Sequence, residues 1–280
     1  MALFAASTLA RADLLPPHKD DLFAYPDLLS SEDGGNYRVV NYLPMRDLYG
    51  RDEIPERRVD AKYVALGVRG VQQQLTVETE MGKIPHTIVG KPDGASAIIV
   101  YLHGQGGSMK QGVDDFTFGG NFNRIKNMAA AAGALYISPG FSNFEDSGAR
   151  QVAALIRHYA DRSPRAKIYV ACGSMGGQIC WRLADMATVA PRLGGLLLLG
   201  SLWSEDFLKS AAFKRRVPVY FGQGSRDEVF TVEKVTAFYK LIRARSKNYP
   251  VKMVVFNDGS HGTPIRMTDW RETINWMASQ

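Results

Sequence analysis

Two spacings of apolar residues take turns along most of this chain. From about Asp60, segments 63–69, 72–78 and 85–89 alternate apolar and polar positions and predict strands, the last two joined by a turn at Met81-Gly82-Lys83. They form an antiparallel edge. Residues 97–102, Ala-Ile-Ile-Val-Tyr-Leu, are continuously apolar, as befits a strand covered on both faces, and run into the glycine-rich loop His103-Gly104-Gln105-Gly106-Gly107. Beyond it, helical spacing over 122–132, 146–161, 175–186, 205–214, 232–246 and 264–277 is interleaved with strand runs at 134–138, 167–172, 195–200, 217–221 and 251–256. In the last helix Trp270, Ile274 and Met277 recur on one face.

Strands alternating with helices predict an α/β fold: a mainly parallel sheet with helices on both faces and an antiparallel N-terminal edge. The 280 residues suit one large core, taken here as a domain over 60–280 preceded by an extension over 1–59. Met1 to Ala12 is small and apolar and ends in Ala10-Arg11-Ala12, the form of a signal-peptidase site, yet no basic stretch precedes it. Two readings therefore stand: the remnant of an export signal, or the tail of a cytoplasmic protein. Pro16-Pro17 fits a loop under either.

Composition narrows the function classes. The formal charge of +6 arises from 34 basic and 28 acidic residues scattered along the chain, with no groove-reading motif, which argues against a nucleic-acid partner. No segment approaches the roughly 18 to 20 continuous apolar residues of a membrane span. Cys172 and Cys180 are expected to be buried thiols, forming neither a disulfide framework nor a metal site.

In such a sheet the chemistry belongs to loops at the carboxyl ends of the strands. Cys172-Gly173-Ser174-Met175-Gly176-Gly177 sits between a strand and a helix, and small residues two before and two after the serine permit the sharp turn that exposes a nucleophile. A plain glycine-containing turn is the other reading. Serine needs a base, and of the five histidines His261 is the one that follows the last core strand, in Asn257-Asp258-Gly259-Ser260-His261-Gly262. The imidazole needs a carboxylate, and Asp227 stands just past the preceding strand, with Glu228 and Asp206 as alternatives. Backbone donors for an oxyanion are expected from Met175 and, across the glycine loop, from Gln105. His103, Gly104, Phe141 and Trp203 are candidates to line the substrate site. The glycine loop lacks the lysine and hydroxyl of a phosphate-binding loop.

These pieces, in the chain order serine, aspartate, histidine, resemble the α/β-hydrolase superfamily over roughly residues 60 to 280. Leu102-His103-Gly104-Gln105-Gly106-Gly107 and Gly224-Ser225-Arg226-Asp227-Glu228-Val229-Phe230 are similar to compact carboxylesterases of the phospholipase/carboxylesterase and dienelactone-hydrolase-like groups. Cys172 departs from their usual glycine. The resemblance implies the α/β-hydrolase fold, acyl-enzyme chemistry on a small-molecule acyl ester, and neither metal nor other cofactor. A peptidase or amidase, or a ligand-binding protein on the same scaffold, remains an alternative. Only about sixteen residues separate Gly200 from Val217, so no large cap is expected, and the rim must come from 108–122, 141–144, 202–208 or the first 60 residues.

Overall fold

The computed structural model describes residues 13–53 and 57–280, so the export-signal question over 1–12 lies outside the described residues. Twelve strands are present among them: Leu28–Glu32 (β1), Tyr37–Val40 (β2), Asp52–Glu53 (β3), Arg58–Val59 (β4), Gln72–Thr79 (β5), Gly82–Gly90 (β6), Ala97–Leu102 (β7), Leu135–Pro139 (β8), Lys167–Gly173 (β9), Leu193–Leu199 (β10), Val219–Gly224 (β11) and Val251–Phe256 (β12). The α-helices are Asp20–Phe23 (α1), Asn121–Ala131 (α2), Asp146–Arg162 (α3), Gly177–Leu183 (α4), Ala211–Lys214 (α5), Val232–Arg245 (α6), Thr263–Met267 (α7) and Trp270–Ala278 (α8).

Ten strands form one sheet in the order β1-β2-β12-β11-β10-β9-β7-β8-β6-β5. Neighbours are parallel from β8 through β7, β9, β10, β11 and β12 to β2, while β5 and β6 form the expected antiparallel edge. Period-two alternation splits the apolar runs between two cores. In β7, Ile98, Val100 and Leu102 join one cluster with α3, α4 and α6, whereas Ala97, Ile99 and Tyr101 join the other with α2 and α8. The carboxyl ends of β7, β9, β11 and β12 consequently open on one rim, where the loops holding His103, Ser174, Asp227 and His261 follow them. Between β10 and β11 lie a short 3₁₀ turn, Glu205–Lys209, and the four-residue α5, so no large cap is inserted there.

The structure departs from the sequence reading in five places. The helix expected over 205–214 is a 3₁₀ turn, Glu205–Lys209, and the separate four-residue α5, because the Ser210 side chain caps α5 by accepting from the Phe213 amide. Segment 63–69 is no strand: it forms 3₁₀ turns, because the Asn123 side chain takes both the amide and the carbonyl of Ala65 that a ladder would need. The helix expected over 175–186 begins as a 3₁₀ turn at Ser174–Gly176 and ends at Leu183. The last helix is broken at Thr268, since Asp269 caps α8 by accepting from the Arg271 and Glu272 amides. Cys172 and Cys180 are buried as expected but joined in a disulfide, because the turn at Ser174 folds the second turn of α4 back over the end of β9 and brings their Cα atoms to 6.5 Å.

The extension is woven into the sheet. β2 pairs with β12 in parallel and β1 with β2 in antiparallel, so residues 28–40 continue the main sheet beyond its last core strand.

Candidate active site

Ser174 has φ near +50°, a left-handed conformation that non-glycine residues seldom adopt. The neighbouring glycines make this possible. A Cβ on Gly176 would stand 2.6 Å from the Leu102 carbonyl oxygen, so any larger residue would push the elbow off β7. A Cβ on Gly104 would stand 2.7 Å from Ser174 Cβ and 3.3 Å from its Oγ, so the glycine loop passes beside the hydroxyl only because it lacks a side chain there. Ser201 Oγ–H donates to the Ser174 carbonyl at 2.6 Å and fastens the elbow from the side of β10. The disulfide fastens it from beneath.

His261 links the serine to the carboxylate. Its Nδ1 lies 2.8 Å from Asp227 Oδ2 and its Nε2 lies 2.9 Å from Ser174 Oγ. A carboxylate only accepts, so the proton belongs on Nδ1 and Nε2 is left as the acceptor of the serine O–H. Asp227, 4 % exposed, is held on every side: the Val229 and Phe230 amides donate to Oδ1, and Gln223 Nε2 donates to Oδ2 at 2.9 Å. Burial alone would raise this carboxyl, but the hydrogen bonds from His261 and from the two amides outweigh it and hold the group below its ordinary value.

The remaining sequence candidates fall into two groups. Gly104 borders the serine, and Met175 follows it at the start of the turn. His103 is buried, donates from Nδ1 to the Gly104 carbonyl at 2.9 Å and stacks on Phe141 at 4.3 Å; burial lowers its pKa, and it is a packed support of the glycine loop. Gln105 is exposed at that loop's tip. Trp203 lines a cavity of about 590 Å³ together with Gln178, Trp181 and Leu202. Asp206 lines the same cavity and Glu228 is exposed, and the carboxylate that meets His261 is that of Asp227. Gln223 and Ser201 were not singled out in the sequence. Gln223 lies four residues before the aspartate at a strand end, a position with no compositional signal.

Two further cavities differ in where they lie. One of about 420 Å³ sits at the amino ends of the strands, by Ala97 and Lys167, away from Ser174. Another of about 270 Å³ is lined by Ser260 and Gly262, which flank His261, and by Tyr42, Leu48 and Arg57 of the extension. The first 60 residues thus supply part of the rim. Among the described residues no cluster of three or more histidine, cysteine or acidic side chains could hold a metal ion.

No family model and no curated protein matches this chain. Solved structures do. An alpha-beta serine hydrolase homologue from Coxiella burnetii aligns over 72 % of this chain and 95 % of its own, at 18 % identity and a TM-score of 0.54. An esterase of Pyrococcus furiosus aligns over 82 % and 97 % at 16 % identity and a TM-score of 0.53. A serine hydrolase without lid from Xanthomonas campestris aligns over 74 % and 94 % at 15 % identity and a TM-score of 0.51. With this likeness and the strand order above, the chain has the α/β-hydrolase fold.

Proposed function

We propose that this protein is a serine hydrolase that cleaves carboxylic esters or thioesters through an acyl-enzyme on Ser174. The observation that carries the reading is the unbroken relay Ser174 Oγ, His261 Nε2, His261 Nδ1, Asp227 Oδ2, with contacts of 2.9 and 2.8 Å at its two joints. His261 takes the Ser174 proton as Oγ attacks the acyl carbon. The tetrahedral oxyanion is met by the backbone amides of Met175 and Gln105, each such donor being worth about 2.7–4 kcal/mol in kcat. His261 then protonates the leaving group, and a water activated by the same nitrogen releases the acid. Asp227 keeps the imidazole in the required tautomer and offsets its charge.

The rim between β10 and β11 is short, which suits small, accessible esters. The test is hydrolysis of a p-nitrophenyl ester series from acetyl to long acyl chains by the wild type and by Ser174→Ala, with a fluorophosphonate probe alongside. The variant is expected to lose about 10⁶-fold in kcat, as serine removal does in a triad hydrolase, and to stop labelling. A wild type inert to both the esters and the probe would count against the reading.

A further inference from the structure

This inference rests on the hydrolase reading of Ser174 and His261 and concerns what the site selects. The 270 Å³ cavity beside His261 is walled by Phe118, Tyr42, Leu48 and Thr263 and carries two arginines, Arg57 and Arg266. Arg266 is committed: its two terminal nitrogens hold both oxygens of the buried Asp52 carboxylate. Arg57 is exposed, lines the cavity, and makes no ion pair or hydrogen bond with any other described residue. A small, mainly apolar chamber with one guanidinium that no other described residue engages fits a ligand with an apolar body and an anionic end, because the planar fork matches a carboxylate in two parallel hydrogen bonds. Its volume falls just below the roughly 300–1,000 Å³ of drug-sized sites, which suits one ring or a short chain.

Position says which half of the substrate enters. When the tetrahedral intermediate collapses, the bond from the acyl carbon to the leaving oxygen breaks, its electron pair stays on that oxygen, and the proton arrives from His261 Nε2. The leaving group therefore lies against the His261 loop, whose Ser260 and Gly262 line this cavity. We propose that the cavity holds the leaving-group half of the ester and that Arg57 selects alcohols or phenols bearing a carboxylate. Arg57 comes from the extension that precedes the first core strand, so this selectivity belongs to the segment that departs from the compact hydrolase core.

The test compares 4-acetoxybenzoate with its methyl ester, methyl 4-acetoxybenzoate, on the full chain as wild type, Arg57→Gln and Arg57→Lys. The kcat/KM ratio of charged to neutral substrate is expected to fall about tenfold in Arg57→Gln, the size of a partly exposed charge-assisted contact. It should be partly restored in Arg57→Lys, and the ratio is the readout, so a loss shared equally by the two substrates cancels and does not count for the proposal. An unchanged ratio, with the neutral ester still turned over, overturns the proposal and leaves the hydrolase reading standing. A loss seen instead with the acyl-side pair p-nitrophenyl hydrogen succinate and p-nitrophenyl butyrate overturns the assignment to the leaving group. Failure of the wild type to cleave any of these esters or to take up the fluorophosphonate overturns the hydrolase reading and this proposal with it.

Discussion

Asp227 receives four hydrogen bonds, from His261, Gln223, Val229 and Phe230, and each has a different consequence when removed. Asp227→Asn is expected to keep the shape of the site but present the wrong partner to Nδ1, costing about 10⁴-fold in kcat as in serine-protease triads. The same variant has a stability signature. A carboxyl depressed on folding contributes stability that is full above its unfolded pKa, near 3.9, and is lost as pH falls through the lower folded value. Urea midpoints of the wild type should thus fall more steeply than those of Asp227→Asn from about pH 4 downward. Gln223 acts one step further back. Gln223→Leu leaves the shared Oδ2 with His261 alone and should lower kcat roughly tenfold to a hundredfold with KM little changed, the worth of a hydrogen bond to a charged group. A fall in melting temperature with kcat intact would make Gln223 a packing residue only. Ser174, Asp227 and His261 were legible because each follows an apolar strand run, whereas Gln223 was not: its role depends on β11 ending with the side chain turned under the aspartate loop, which no spacing announces.

At the scale of elements, the turns were less legible than the strands between them. The core strands announce themselves because two covered faces demand unbroken apolar runs such as 97–102 and 195–199. The break in the last helix was written in Asp269-Trp270-Arg271-Glu272, a capping sequence hidden inside a longer helical spacing. The disulfide had no such signal. Cysteines eight apart read as a strand residue and a helix residue until the left-handed Ser174 reverses the chain between them. This bond clamps the strand and helix between which Ser174 sits. In the chain-entropy account a loop this short contributes about 2–3 kcal/mol. Cys180→Ser should therefore lower the unfolding free energy by that amount and move the denaturant midpoint down with it. Dithiothreitol should do the same to the wild type while leaving Cys180→Ser unmoved, and equal effects on both would show that the cysteines are not joined.

For the whole molecule, the question is what holds the extension against the hydrolase core. Strands β1 and β2 were not legible because β1, the edge strand Leu-Leu-Ser-Ser-Glu, is exposed throughout, and β2 inside it is only four residues long with Val40 alone buried, so neither demands an apolar run. Their attachment is partly ionic. Arg124 of α2 is wholly buried and joins Asp20 of the extension to Asp269 at the cap of α8, both at 3.0 Å, while its Nε donates to the His18 carbonyl. Arg266 of α7 grips Asp52 in the same way. Removing one partner from a buried pair leaves the other charge uncompensated and typically costs about 3–5 kcal/mol. Exposed pairs are worth about 0–1 kcal/mol. Arg124→Met keeps much of the volume and deletes the charge, while Asp20, a third exposed, keeps its bond to Arg271 and Asp269 keeps two backbone amides, so the cost should fall below the full buried-pair range, at roughly 1–3 kcal/mol. Arg162→Ala, which breaks an exposed pair with Asp93, should cost less than about 1 kcal/mol. If Arg124 is the rivet between extension and core, limited proteolysis of Arg124→Met should cut first within residues 13–27, before the core is touched, and ester turnover should fall as the wall carrying Tyr42, Leu48 and Arg57 loosens. Equal loss of stability in the two variants, or cleavage that begins in the core, would mean that the extension is held by β2 against β12 and that the buried arginine only completes the fit.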